Sequence, residues 1–281
     1  MISHVSSFLI FLLISLNANA MIKALNTAAT GMASQEANVN TLSNNIANVN
    51  TVGFKKGRTE FEDLYYETQV EPGSRSSNDT IYNAGVQIGS GSKVSAIRKE
   101  FQQGSPQITN NPFDFMINGE GFFGVIMPNG ELRFTRDGAF NVDAQGNLVN
   151  KNGYRIFPGL TMPQGTISVN VSSTGNVDAY LRGQNQPINL GIMPVFTFTN
   201  PVGLKSESGN LYRDTASSGQ AQQQTPGQGN SGFIQQAALE SSNVVIMNEM
   251  TNLIKAQRAY EMNSKVMGVA DQMLQTVNNI R

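Results

Sequence analysis

Few residues in this chain have the type and spacing to do chemistry. Gly119-Glu120-Gly121-Phe122-Phe123-Gly124 matches G-x-G-x-x-G, a spacing that cradles a pyrophosphate when a helix follows and aims its N-terminus at the ligand. Here Phe122, Phe123, Val125 and Ile126 continue as strand and Pro128-Asn129-Gly130 turns it, so the match lacks its context. Asp137 with Asp143, or Glu120 with Asp137, offers a carboxylate pair of the kind that hydrolyses glycosides. Yet Asp137 precedes Gly138 and Asp143 lies near Gly146, which are turn positions. The residues around Asp143 do not reproduce a calcium loop. There are no cysteines and one histidine, His4. That excludes a disulfide framework, a thiolate zinc site and a cysteine nucleophile, and beyond residue 20 no imidazole can act as base or ligand. The sequence predicts no catalytic group, cofactor or metal.

With chemistry set aside, the pattern at the two chain ends dominates. Apolar residues recur at alternating steps of three and four. At the C-terminal end the seam is Ile246, Met250, Leu253, Gln257, Tyr260, Ser264, Met267 and, past Asp271, Leu274. At the N-terminal end it is Ile22, Leu25, Ala29, Met32, Glu36, Val39, Ser43 and Ile46. A period of 3.5 winds helices into a left-handed coiled coil, although polar residues interrupt both seams. The C-terminal helix carries a second stripe: Met262, Val266, Val269, Met273, Val277 and Ile280. A helix apolar on two sides must bury both, and one partner covers one. The pattern therefore favours packing between subunits over packing within one.

Composition narrows the class. The 281 residues suffice for a large domain with helical ends. Charged residues make up 14%, against about 25% in an ordinary soluble domain. The net charge of −1 without a Lys/Arg block points away from nucleic acid. Residues 1–20 stand apart. Phe8–Leu16 is almost wholly apolar, too short to span a bilayer, and Ala18-Asn19-Ala20 before Met21 resembles a cleavage site, but no Lys or Arg precedes it. A signal peptide and a translation start at Met21 are the two readings.

The middle is β. Short apolar runs (Phe115–Ile117, Phe122–Ile126, Leu132–Thr135, Ala139–Val142, Asn147–Val149) alternate with Asn-Gly, Asp-Gly and Gln-Gly turns. Strands of that length and spacing predict an antiparallel sandwich or irregular barrel. Val86–Ile97 reads as strand pairs, Glu71–Asp79 as a loop, and 214–232, rich in Gln, Gly, Ser and Thr, as a flexible linker. The fold class is α+β. Long terminal helices form a coiled-coil assembly domain around a central, antiparallel, all-β domain. The expected boundaries are 1–20 leader or stretch upstream of the true start, 21–53 N-terminal helix, 54–104 connecting region with the loop, 105–213 β domain, 214–232 linker and 233–281 C-terminal helix.

Three stretches also resemble a known family. Asn26-Thr27-Ala28-Ala29-Thr30-Gly31-Met32 with Leu42–Lys55, then Asp114–Phe123 with Phe134–Phe140, then Gly232–Val244 with Ala256–Lys265, are similar to the N-terminal, central and C-terminal signatures of the bacterial flagellar rod and hook proteins. Ala237 stands where the resemblance implies glycine. The stretch between the first signature and the Gly89-Ser90-Gly91 strand resembles the distal-rod branch. The resemblance implies a structural subunit, not an enzyme, of the basal body from periplasm to outer membrane. It would form a homo-oligomeric helical tube, hollow, transmitting torque and conducting exported subunits. Implied partners are other rod proteins, the hook protein, the P- and L-ring proteins and the type III export apparatus. A proximal-rod or hook subunit is the alternative within the family, and a secreted β-rich adhesin the alternative outside it.

Overall fold

The structure, a computed structural model, describes residues 2–75, 83–183 and 186–279. Part of the loop expected at Glu71–Asp79, and Ile280 of the second stripe, lie outside them. Two long helices bracket a strand-rich middle: α1, Ile2–Ala47, and α2, Ile246–Asn279. The α+β class holds. Backbone helix begins upstream of the N-terminal seam, at Ile2. It stops inside the Asn-rich run, whose side chains compete for backbone hydrogen bonds, and Gly53 then turns the chain with φ +65°.

The chain divides into two compact units: residues 1–44, 57–98 and 247–281 in one, and 45–56 and 99–246 in the other. The first holds most of both helices and a ribbon of β1 (Gly57–Asp63), β2 (Tyr66–Val70), β3 (Val86–Gly89) and β4 (Ser92–Lys99). The sequence suggests pairing within Val86–Ile97. Instead β3 pairs β2, with Tyr66 opposite Gly89, and β4 pairs β1. The Leu64 and Ser90 N–H groups bond to the Gly91 and Tyr65 carbonyls at 2.9 and 3.1 Å, which joins the two pairs into one long ribbon. It lies against α1: Ser34 Oγ donates to the Ser92 carbonyl at 3.1 Å, and a Cβ added at Gly91 would sit 2.1 Å from Thr30 Oγ1. Lys23 and Glu67 form a further ion pair.

The second unit begins with β5 (Pro106–Ile108) and β6 (Phe115–Asn118). Next come β7 (Phe123–Ile126), β8 (Leu132–Thr135), β9 (Asn141–Val142), β10 (Leu148–Val149) and β11 (Arg155–Ile156). A three-stranded sheet follows, β12 (Thr166–Val171), β13 (Asn176–Leu181) and β14 (Ile188–Ile192), then β15 (Val195–Thr197), β16 (Lys205–Glu207) and β17 (Leu211–Arg213). The last are β18 (Gln222–Gln224), β19 (Phe233–Gln236) and β20 (Ala238–Glu240). A seven-stranded sheet runs β16-β17-β8-β7-β11-β10-β9, with its paired registers antiparallel. Its inward side chains, including Phe123, Val125, Leu148 and Ile156, form one core with Phe115, Ile117 and Val195. A second core is aromatic, built on Phe122, Phe134, Phe196, Phe198 and Tyr212. Edge-to-face rings such as Phe134 and Phe198, 4.8 Å apart at 82°, hold it.

The Gln/Gly-rich stretch 214–232 does not hang free. β18 pairs β15, Ser218 is fully buried and bonds back to Thr215. Hydrogen bonds from polar side chains replace the apolar burial that its composition lacks.

Candidate assembly site

The sequence-predicted seam residues fall into two groups. Leu25, Met32, Val39, Ile46, Leu253, Met267 and Leu274 are half-buried, whereas Ile22, Met250 and Tyr260 are exposed. One set of sheltered positions on each helix also keeps alternating steps of four and three, but in the other phase. On α1 it is Met21, Leu25, Ala28, Met32, Gln35, Val39, Leu42 and Ile46, and Ser34, Thr41 and Asn45 are buried outside it. On α2, Glu249, Leu253, Ala256, Asn263, Met267, Ala270 and Leu274 follow the same steps, which Tyr260 completes at an exposed site. Both phases share every seventh residue. They differ in the residue between, and small side chains at Ala28, Ala256 and Ala270 mark where a neighbour comes close. At one point that neighbour is the other helix: a Cβ on Gly31 would lie 2.8 Å from Asn263 Nδ2.

The second stripe of α2 stays uncovered from Met262 to Met273, the part whose side chains are described. Met262, Val266, Val269 and Met273 are 47–60% exposed. Isolated exposed apolar residues are ordinary, but a continuous stripe along one helix marks an interaction surface.

Within the second unit lies a constellation that sequence reasoning missed. Lys55, Glu240 and Arg136 are buried together, at 0%, 0% and 4% exposure. Lys55 Nζ donates to Glu240 Oε1 at 2.6 Å and to the Gln102 carbonyl at 2.7 Å. Arg136 Nη1 reaches Glu240 Oε2 at 3.3 Å, and Nη2 donates to the Gly119 carbonyl at 2.9 Å. The Gly104 N–H donates to Glu240 Oε1, and the Gly53 N–H to the Glu240 carbonyl, at 2.9 and 2.7 Å. The guanidinium also stacks over Phe122, 5.3 Å from the ring centroid. Two cations share one anion. Burial holds the Lys55 ammonium below its ordinary pKa despite Glu240, and lowers Arg136 likewise; burial raises the Tyr212 phenol.

Around this cluster the backbone is tightly fitted. A Cβ on Gly53 would lie 2.5 Å from the Arg136 carbonyl carbon, at a φ that L side chains avoid. Ala237, next to β20, has φ 57°. That is the left-handed region where the resemblance implies glycine.

The candidate chemical groups are occupied structurally. A Cβ on Gly121 would stand 2.0 Å from Val195 Cγ1 and one on Gly124 2.6 Å from Phe196. Those glycines of the G-x-G-x-x-G match let strands approach each other, and β7 follows in place of a helix. Asp143 accepts from the Gln145 and Asn147 N–H groups at 2.9 and 2.7 Å and from Asn147 Nδ2 at 3.0 Å, and this side-chain bond does most to hold its carboxyl below the usual range. Asp137 accepts from the Ala139 N–H at 3.1 Å and from Lys151 at 2.9 Å. Both carboxylates staple turns.

Three family models match separate stretches of the chain: the flagella basal body rod protein over residues 25–55, the flagellar hook protein FlgE/F/G D1 domain over 116–179, and the flagellar basal body rod FlgEFG protein C-terminal over 235–280. Each contributes one member of the buried cluster. Similar full-length relatives include the flagellar basal-body rod protein FlgG of Caulobacter vibrioides, 45% identical over 92% of this chain and 99% of its own. FlgG of Borreliella burgdorferi is 43% identical over 93% and 99%, and FlgG of Bacillus subtilis 34% over 93% and 100%.

Proposed function

The chain belongs to the flagellar basal-body rod proteins, and we propose that it builds the distal rod by packing its terminal helices against those of neighbouring copies. It is a structural subunit of the basal body, not an enzyme. In the proposed assembly α1 and α2 pair as a coiled coil through the sheltered seam, and further copies cover what remains. The β unit faces outward from a hollow tube that transmits torque and conducts exported subunits. Other rod proteins, the hook protein, the P- and L-ring proteins and the export apparatus are its proposed neighbours.

One observation carries this reading: the stripe Met262, Val266, Val269, Met273 on α2, half exposed along a helix whose other face is already sheltered. Such a face needs a partner. The test places a charge on the stripe and leaves the sheltered face alone. Full-length protein carrying V266D and M273D should fold with an unchanged β-unit melt and fail to enter rods in cells lacking the native copy. Rods of normal length built from that variant would overturn the proposal.

A further inference from the structure

The chain passes between its two units at four points, after Asn44, Lys56, Arg98 and Ile246. Every covalent path between the units runs through these segments. Inside the second unit, three of the four are fastened to one another a few residues from the crossing. The Glu100 N–H donates to the Lys56 carbonyl at 2.9 Å, and Lys99 Nζ to the Lys55 carbonyl at 2.9 Å. Asn243 bridges both partners: its Oδ1 accepts the Lys56 N–H and its Nδ2 donates to the Glu100 carbonyl, each at 2.8 Å. Beneath them Lys55 binds Glu240 and the Gln102 carbonyl, and Glu240 binds the Gly104 N–H and Arg136.

Stability alone does not explain this choice of residues. Buried ions lose their hydration, and apolar replacements of the same volume are often neutral or stabilising. What ions and amides add is direction, because each bond fixes one atom of one segment to one atom of another. An apolar core would let the three segments slide in register.

We propose that Lys55, Glu240, Arg136 and Asn243 form a clasp that sets the register of the three segments where they leave the β unit. In this clasp Lys55 and Asn243 are positioning residues that carry force from those segments into the folded body. The clasp rests on the rod reading only for its use under torque.

The test uses the full chain. K55M leaves Glu240 and Arg136 as a charge-balanced pair, and N243A lies outside the ion cluster, so at least one variant folds. Both should keep the main thermal transition within about 3 °C. Amide exchange at 54–56 and 99–104 should accelerate about tenfold, with the aromatic core around Phe134 and Phe198 unchanged. Cells carrying either variant should swim normally in dilute medium and lose speed in viscous medium. Unchanged exchange at those segments would overturn the clasp. So would acceleration spread evenly through the β unit, which would make Lys55 and Asn243 ordinary stabilisers. Exchange is read on purified protein, so its failure stands apart from failure of the rod reading, which would show as normal swimming in cells lacking the chain.

Discussion

At the scale of single residues, the buried cluster makes the sharpest predictions. Glu240→Gln removes the one anion between two buried cations, which should cost about 3–5 kcal/mol and be visible in a urea melt. Lys55 also predicts a pH dependence. Its pKa is lower in the fold than in the unfolded chain, so between those two values the unfolded state binds more protons and stability rises with pH. Urea melts from neutral pH towards 10.5 should show that rise in the wild type and a smaller one in K55M; the same slope in both would contradict it. Ala237→Gly relieves a left-handed alanine at a cost in chain entropy. The balance should raise stability by roughly 0.5–1 kcal/mol, whereas a loss would show that the alanine is unstrained. None of the cluster was legible as a cluster. Lys55, Arg136 and Glu240 stood in the sequence as parts of separate signatures, and Glu240 is 185 residues from one partner and 104 from the other. No local pattern relates charges so distant. Ala237 was different, because a single residue out of family pattern pointed to unusual backbone, and the backbone there is unusual.

At the scale of elements, what repeats locally was readable. The Asn-Gly and Gln-Gly turns, the short strands between them and both helices follow from turn chemistry and period. The phase of the helical seam did not. Steps of three-then-four and four-then-three share Leu25, Met32, Val39, Leu253 and Met267. Only packing decides whether Ala28 or Ala29, Ala256 or Gln257, fills the space between. Strand pairing in the ribbon was equally hidden, since β3 and β4 lie three residues apart yet pair with β2 and β1. The free subunit should show a graded helix. Stripes left uncovered do not hold isolated helical turns, so amide exchange in a verified monomer should be fast over 262–276 and slow across β7 and β8. Strong protection throughout α2 in such a monomer would contradict this.

At the scale of the whole molecule, a β unit whose candidate chemical groups are occupied stands with a C-terminal helix that leaves an apolar stripe exposed. Among the described residues the groups that resemble sites are spent on turns and strand contacts, and an apolar stripe is left open along α2. That combination suits a subunit whose activity is assembly. The most direct measurement is electron microscopy of basal bodies from cells lacking this chain and from the same cells given it back. The account predicts rods that stop short without a hook in the first case, and full-length rods with a hook in the second. Full-length, hook-bearing rods in cells without the chain would contradict it.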